Sequence, residues 1–365
     1  MKVATSIVLG NQAAPELAAE AVTNAMQKAG ISIANSVLLL LTSEFAGNPQ
    51  AAIRAAAKAA NCTQVMGCSA TGIFTEEDWV LDAPAAAAMV FGGDITLQLP
   101  QHNYSSQPLL TLSAPNAINS TWLNNSYVRY GGVSGDAIGQ GPFSVWQNAK
   151  GDVTGYVEAF LSGTNVVTQA SHGLSLISQP IQIQQTAGFD LALMGNQQSP
   201  FTVLQKAWKS HCKNNDPVPL HLITAAYADS AAAIEQGHYH QASIISHDEN
   251  SGSITLTKPL KAGQFLSWAL RDTAAAEADM LLTTHALAQR LGCAPDFGLL
   301  FSCLGRGPYF YNGVDRDLQV IQREFPHMPL LGFYGNGEIA SIDGTNQLLP
   351  YSAVLSLFAA RRSSS

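Results

Sequence analysis

The spacing of apolar residues in the first third of the chain predicts strands that alternate with helices. Apolar runs at residues 3–9, 37–42 and 64–68 have the length of buried strands, and the Ala-rich stretches that begin at Pro15 and Pro49 have a helical pattern. Such alternation is typical of an α/β layer structure. The sequence therefore predicts a mixed α/β fold.

Beyond about residue 126 the pattern changes to strand pairs around turn residues. Residues 143–147 and 155–161 flank one turn, and residues 182–185 and 191–194 flank another. Turn residues between two short apolar runs favour β-hairpins. We therefore expect two hairpins in this middle part of the chain.

A polar stretch at residues 195–200 interrupts the pattern before a further helical segment. We place a domain boundary there and predict domains at residues 1–197 and 198–365. The second part again alternates, with a long helix at about residues 273–291, a strand at 297–303 and a helix at 315–325.

One order of elements occurs twice: apolar strand, loop, helix, strand, glycine-rich turn, apolar strand. The first copy has its strands at residues 37–42, 65–73 and 86–91, and the second has them at 298–303, 330–339 and 352–358. This repeated order of elements predicts an internal strand-helix-strand-strand duplication within two domains of mixed sheets covered by helices. The glycine turns at residues 67–72 and 332–337 should then occupy related positions.

Composition and charge limit the classes of function. Apolar residues make up 47% of the 365 residues, which is enough for a globular chain, and the formal net charge is -8 with only 18 Lys and Arg. Nucleic acids and anionic membranes are bound through clustered cations that this sequence lacks. We therefore expect no nucleic-acid partner and no insertion into a membrane.

The five cysteines are scattered and form no CxxC pair. This spacing fits a reducing compartment and predicts neither a disulfide framework nor a zinc site. The N-terminus lacks the pattern of a signal peptide, because Glu16 and Glu20 follow the first apolar run. The sequence therefore predicts a cytoplasmic protein.

Glycine-dense segments carry a resemblance to a known family. Residues 299–307 (LLFSCLGRG) and 329–340 (PLLGFYGNGEIA) resemble the C-terminal domain of the FIST (F-box and intracellular signal transduction) family. Residues 66–72, 131–136 and 171–173 are similar to its N-terminal domain. The resemblance implies a stand-alone member of the bacterial type, with the N-terminal domain at residues 1–197 and the C-terminal domain at 198–365.

Members of this family are regarded as intracellular sensory modules that bind small ligands such as amino acids. The resemblance therefore implies a ligand-binding signalling protein with no cofactor and no established catalytic apparatus. Because the two domains use the whole of this sequence, we expect the output to come from a separate signalling partner protein or from self-association.

The glycine turns are the first candidates for a ligand site, since their backbone N–H groups can hold carboxylate or phosphate oxygens. Arg306 stands between two glycines and could grip a carboxylate through two hydrogen bonds. Asn336, Glu338 and Asp136 could hold an ammonium group, although caps and turns commonly use such residues. The candidate ligand-binding residues are Cys68, Ser69, Thr71, Ser134, Asp136, His172, Cys303, Arg306, Asn336 and Glu338.

Two other functions stay open. Cys68 or Cys303 could serve as a thiol nucleophile with His172 as its base, which would make the protein a thiol-dependent hydrolase or transferase. Buried strand cysteines are the commoner case. A protein-interaction scaffold without a ligand is the third reading. No nucleotide-binding motif and no clustered metal ligands occur, so we expect neither a cofactor nor a metal.

Overall fold

A computed structural model describes residues 2–100, 107–125, 127–136, 138–212 and 216–361. The chain divides into two compact units, one formed by Met1–His172 with Asp279–Ser365 and the other by Gly173–Ala278. The predicted mixed α/β fold is confirmed. Residue 197 lies within the second unit; the domain boundary proposed there from the sequence stays a prediction.

The first unit begins with a repeat that contributes four strands to one sheet and adds a hairpin. Its elements are β1 (Val3–Leu9), α1 (Pro15–Ala29), β2 (Ser36–Thr42), a 3-10 turn (Ser43–Phe45), α2 (Gln50–Ala60), β3 (Val65–Ala70), β4 (Gly72–Thr75), β5 (Trp79–Leu81) and β6 (Ala85–Phe91). Strands β2 and β3 are parallel and joined through α2, and β6 is antiparallel to both β1 and β2. The strand order is therefore β1-β6-β2-β3, and the hairpin β4–β5 is not part of this sheet.

A second repeat follows at once with the same order of strands, although its described residues form no helix between the first two strands. Its elements are β7 (Thr96–Gln98), β8 (Leu109–Ser113), a 3-10 turn (Pro115–Ala117), α3 (Ser120–Leu123), β9 (Arg129–Val133), β10 (Val145–Gln147), β11 (Lys150–Gly151) and β12 (Tyr156–Ser162). Strands β8 and β9 are parallel, and β12 pairs with β8 and β7. The strand order is β7-β12-β8-β9, with the hairpin β10–β11 left over.

After β13 (Thr164–Ser171) the chain enters the second unit, a small barrel. Its elements are β14 (Leu174–Leu176), β15 (Ile181–Ala187), β16 (Asp190–Met194), α4 (Pro200–His211), a 3-10 turn (Leu220–Leu222), β17 (Ile223–Ala228), α5 (Ala231–Glu235), β18 (His240–His247), β19 (Ile254–Leu256) and β20 (Phe265–Arg271). The order β20-β15-β16-β19-β18-β17 closes because β17 also pairs with β20. The barrel has its own apolar core, which includes Ile223, Leu266 and Trp268.

A third repeat of the first unit begins with β13 and resumes after the barrel. Its further elements are α6 (Thr273–Leu291), β21 (Phe297–Cys303), a 3-10 turn (Leu304–Arg306), α7 (Arg316–Glu324), β22 (Leu330–Gly335), β23 (Glu338–Ile342), β24 (Thr345–Leu349) and β25 (Ala353–Ala360). Strands β21 and β22 are parallel, and β25 is antiparallel to β13 and β21. The strand order is β13-β25-β21-β22, which is that of the other two repeats.

Each repeat lends its hairpin to the sheet of another repeat. Strand β10 of the second repeat pairs with β3, strand β23 of the third pairs with β9, and strand β4 of the first pairs with β22. The exchange is cyclic, so the first unit has an approximate threefold arrangement. The three sheets share one apolar core, to which equivalent positions contribute Leu38, Leu40, Leu110, Leu112, Leu299 and Phe301.

One glycine per repeat permits the close approach of the two parallel strands. A Cβ atom at Gly67, Gly131 or Gly332 would lie 1.7, 1.8 or 2.1 Å from the carbonyl oxygen of the residue opposite, which is Leu39, Thr111 or Leu300. Only glycine fits such a contact. The predicted duplication is thus present, with Gly67 and Gly332 in equivalent positions, and it extends to a third copy that the sequence pattern did not predict.

Of the two hairpins predicted for the middle of the chain, the one formed by β15 and β16 is confirmed. The other is wrong, because β10 turns back to pair with β11 while β12 joins β8. The apolar side chains of β12, including Val157 and Ala159, lie in the shared core. Among the described helices, none is both long enough and apolar enough to cross a bilayer.

Candidate functional site

The register of the three repeats aligns their residues and shows where the third repeat departs from the other two. Glu338 lies opposite Gly132, at the position held by Val145 opposite Cys68 in the first sheet and by Ile73 opposite Phe333 in the third. Val145 and Ile73 belong to the shared apolar core. A carboxyl group thus takes the place of an apolar core side chain in one of three equivalent positions.

The neighbouring positions are altered as well. The backbone contact is the same in the second and third repeats, where the Ala114 N–H donates to the Gly155 carbonyl and the Cys303 N–H donates to the Ser352 carbonyl at 3.0 Å. The residue types differ, because Thr42 faces Ala85 in the first repeat whereas Cys303 faces Ser352 in the third. His172 follows β13, beside Ser352, and its Nδ1 lies 3.4 Å from the Ser352 Oγ. A row of His172, Ser352 and Cys303 therefore crosses three adjacent strands.

Glu338 is 1% exposed, and its hydrogen bonding is incomplete. The Ser352 N–H donates to the Glu338 carboxyl group, while Oε2 has no protein partner. In the first repeat the equivalent Ala85 N–H donates instead to Thr42 Oγ1 at 3.0 Å, a role that a cysteine at position 303 fills poorly. Burial raises the pKa of Glu338 well above its ordinary value, because an apolar interior disfavours the charged form.

Arg306 lies next to this row, in contact with Ser171, and is 2% exposed. Its equivalent in the first repeat, at the end of the 3-10 turn, is the core residue Phe45. The guanidinium donates from Nε and Nη2 to both oxygens of Asp317, at 2.8 and 3.0 Å, and to the carbonyl and hydroxyl of Ser171, at 2.7 and 2.8 Å. Burial by itself would lower the pKa of Arg306, but the Asp317 carboxylate raises it.

Further acidic groups surround the guanidinium. The Asp279 Oδ2 accepts from the Ser171 hydroxyl at 2.8 Å and from the His172 N–H at 2.7 Å, which fixes the end of β13. Asp315 caps α7 by accepting from the Leu318 N–H at 2.9 Å. The Tyr334 hydroxyl donates to Asp315 at 2.5 Å. Burial, and then the neighbouring Asp317, raise the pKa of Asp315 to about 6.

The loops that leave β3, β9 and β22 meet at one end of the first unit. A Cβ atom at Gly135 would lie 2.8 Å from Thr71 Oγ1 and 3.3 Å from the Asn336 nitrogen, and the Asn336 N–H donates to Val133 at 3.0 Å. Thr71 Oγ1 is buried without a protein partner, and Asn336 is exposed. These two side chains stand at the meeting point of the three repeats.

Three other predicted site residues hold this loop cluster together. The hydroxyls of Ser69 and Ser134 lie 3.1 Å apart, and the Ser134 Oγ also donates to the Ser69 carbonyl at 2.6 Å. Asp136 accepts from the N–H groups of Gly139 and, at 2.7 Å, Gly141, so it caps its own loop. These contacts fix the turns from which a ligand would be held.

The two candidate cysteines differ in their surroundings. Cys68 is an interior residue of β3 whose pKa is raised by burial, which disfavours the thiolate. Cys303 lies in the row with Ser352 and His172. Among the described residues, no three His, Cys, Asp or Glu side chains are grouped as metal ligands.

The structure thus places His172, Cys303 and Glu338 around Ser352, with Arg306 bound to the adjacent Ser171, and leaves Cys68 in the interior. The sequence reasoning missed the residues that complete the cluster, which are Ser171, Asp279, Asp315, Asp317 and Ser352. Asp315 and Asp317 stand out in the sequence at the start of the predicted helix, but acidic residues at that position are equally expected as helix caps.

Comparison with known proteins gives one domain match and several relatives. Residues 201–341 match the model of the FIST C domain. The chain is 27% identical over 230 residues to an uncharacterized protein of Mycobacterium bovis, and 26% identical over 229 residues to one of Mycobacterium tuberculosis; each match covers 62% of this chain. A segment of 63 residues, 16% of this chain and of the relative, is 40% identical to human F-box only protein 22.

The match spans 59% of the length of the Mycobacterium bovis relative and 60% of that of the Mycobacterium tuberculosis relative. The FIST domain is a sensory domain of signal transduction, and the match to its C-terminal part supports that class for residues 201–341. A FIST N-terminal domain and a stand-alone bacterial type stay predictions. This chain thus resembles the FIST family through a domain match that contains Cys303, Arg306, Asn336 and Glu338.

Proposed function

We propose that this protein is an intracellular sensory protein that binds a small ligand at the polar cluster of the third repeat and signals through a separate partner protein. The cluster consists of His172, Cys303, Glu338 and Ser352, with Asn336 and Thr71 at the neighbouring loop junction. An amino acid is the ligand that the family resemblance favours. The cytoplasm is the compartment that the free cysteines favour.

The comparison between equivalent positions carries this proposal. Burying a polar group without a full set of hydrogen bonds costs on the order of 1–3 kcal/mol, and apolar side chains fill the same position in the other two repeats. Glu338 accepts one hydrogen bond, from the Ser352 N–H, but it leaves Oε2 buried without a protein partner, a cost that an apolar side chain would avoid. A cost that occurs at this position in one repeat only, beside exposed Asn336, is typical of a binding site.

The predicted role of Arg306 changes in light of its contacts. Its nitrogens already donate to Asp317 and Ser171, so we propose that it positions β13 and α7 rather than holding the ligand's carboxylate. The N–H groups of Ser134 and Asn336 already donate to the carbonyls of Ser113 and Val133. We propose that an anion at this junction would be held by the backbone N–H groups of Gly135, Asp136 and Gly337, beside exposed Asn336.

The test is a thermal-shift screen of metabolites on the wild-type protein and on the double variant Cys303→Thr/Glu338→Ile, which restores the pattern of the first repeat. A ligand at 100 times its dissociation constant stabilises the native state by about 2.7 kcal/mol. We expect at least one compound to stabilise the wild type and not the double variant. If every hit stabilises both proteins equally, the ligand site lies elsewhere; if nothing binds, a ligand-free scaffold is the better reading.

The row of His172, Ser352 and Cys303 favours a second candidate, a thiol-dependent hydrolase or transferase. Here Cys303 would be the nucleophile and His172 its base, with the Ser352 hydroxyl taking up the thiol proton as it passes its own proton to the imidazole. Alkylation kinetics separate the two proposals, because an activated thiolate reacts fast at neutral pH. Rapid modification of Cys303 that His172→Gln slows would favour the enzyme, and slow modification unaffected by that change would favour the sensor.

A further inference from the structure

The charge balance around the polar cluster indicates what kind of ligand it can take. Arg306 donates to both oxygens of Asp317, and a second carboxylate, Asp279, lies next to it through the Ser171 hydroxyl. The single guanidinium thus already faces two carboxylates. A ligand carboxylate brought to this cluster would add another negative group to Asp317, Asp279 and Asp315, and the residues named in the cluster include no Lys and no second Arg to meet it.

Glu338 has the opposite requirement. Its carboxyl group accepts one N–H, from Ser352, and its Oε2 is fully buried without a protein partner. Burial raises the pKa of this group, and a positive charge placed beside Oε2 would stabilise its ionised form. An ammonium group has three N–H donors and no acceptor, which is the complement of an unpartnered carboxylate oxygen.

From these contacts we infer that the cluster binds the ammonium group of a small organic amine, with Glu338 Oε2 as its acceptor and the Ser352 hydroxyl beside it. The inference rests on the proposed function and narrows the class of ligand to amines, because Glu338 would recognise the ammonium group and not a carboxylate. The rest of the ligand extends toward the loop junction at Thr71 and Asn336. An amino acid binds only if its carboxylate reaches that junction, away from Asp317 and Asp279.

Four probes of nearly equal size separate the ligand classes: n-butylammonium, n-butanol, butyrate and 2-aminobutyrate. Each is titrated against the full chain at constant ionic strength, with saturation-transfer NMR for binding and thermal unfolding for stabilisation. We expect n-butylammonium to bind and to stabilise the protein, and butanol and butyrate to do neither. Binding of 2-aminobutyrate as well as n-butylammonium would place its carboxylate at the junction.

The variant Glu338→Gln keeps the shape of the side chain and removes the charge. We expect it to weaken n-butylammonium binding at least tenfold, which corresponds to about 1.4 kcal/mol, while Glu20→Gln on an exposed position of α1 changes nothing. Equal binding by both variants would overturn the inference. So would tighter binding of butanol or butyrate than of the amine, or no response to the amine at all.

The outcomes also separate this inference from the proposed function. If the metabolite screen returns a ligand that needs Glu338 and Cys303 but n-butylammonium does not bind, the sensory site stands and its ligand is not an amine. If neither the screen nor the probes produce binding, both the proposed function and the inference fail.

Discussion

Restoring the pattern of the first repeat at the polar cluster should stabilise the protein while removing its ligand site. The double variant Cys303→Thr/Glu338→Ile replaces the two residues by their counterparts, Thr42 and Ile73. The new threonine hydroxyl would accept from the Ser352 N–H, as Thr42 Oγ1 accepts from the Ala85 N–H at 3.0 Å. The isoleucine would fill the apolar core position.

The expected magnitude follows from what each change removes. The unpartnered Glu338 Oε2 costs roughly 1–3 kcal/mol, and one neutral hydrogen bond to Ser352 is exchanged for another of about equal strength. The free energy of unfolding should therefore rise by roughly 1–3 kcal/mol. For a domain of 150–250 residues each kcal/mol raises the melting temperature by about 2–4 °C.

The single variant Glu338→Ile gives the control, because it leaves the buried Ser352 N–H without its acceptor. We expect urea unfolding to place this single variant about 1–3 kcal/mol below the double variant. The reciprocal change Ile73→Glu puts a carboxyl group at the equivalent position of the first repeat and should destabilise the protein. A double variant no more stable than Glu338→Ile, or an Ile73→Glu variant as stable as wild type, would refute the reasoning from equivalent positions.

Other contacts give further predictions. Arg306→Ala leaves Asp317 buried without its cationic partner and should cost about 3–5 kcal/mol in urea unfolding, so an unchanged midpoint would contradict a positioning role. Asp315→Asn keeps the cap of α7 but removes a carboxyl group whose pKa is raised to about 6 from 3.8. Because the folded state holds that proton where the unfolded state has lost it, the free energy of unfolding of the wild type should fall by about 3 kcal/mol between about pH 4 and pH 6. The variant should lack most of this fall, and parallel pH profiles would argue against the shift. Iodoacetamide at neutral pH should label exposed Cys293 and spare Cys68, which mass spectrometry of the native protein checks, and early labelling of Cys68 would show that it is not buried.

The local pattern of the sequence determined many of the elements. The predicted strand at residues 37–42 lies within β2, and the helix predicted at about residues 273–291 is α6, because apolar periodicity is set by the element itself. The repeated order of elements also predicted related positions for the glycine turns at residues 67–72 and 332–337, and Gly67 and Gly332 are equivalent in the structure. The sequence pattern did not predict the second repeat, because its helix α3 has only four residues and gives almost no periodic signal.

Only the tertiary structure decided how these elements combine. The cyclic exchange of hairpins depends on pairings such as that of β4 with β22, which no local pattern specifies because a strand edge accepts any partner of suitable register. The same holds for the candidate site. Arg306 could be picked out from the sequence as an unusual cation between glycines, but its partner Ser171 is 135 residues away in the chain. Folding also buries Arg306 together with Asp317, which makes their ion pair a structural contact. In the same way, Glu338 Oε2 lacks a hydrogen-bond partner only because folding removes it from water.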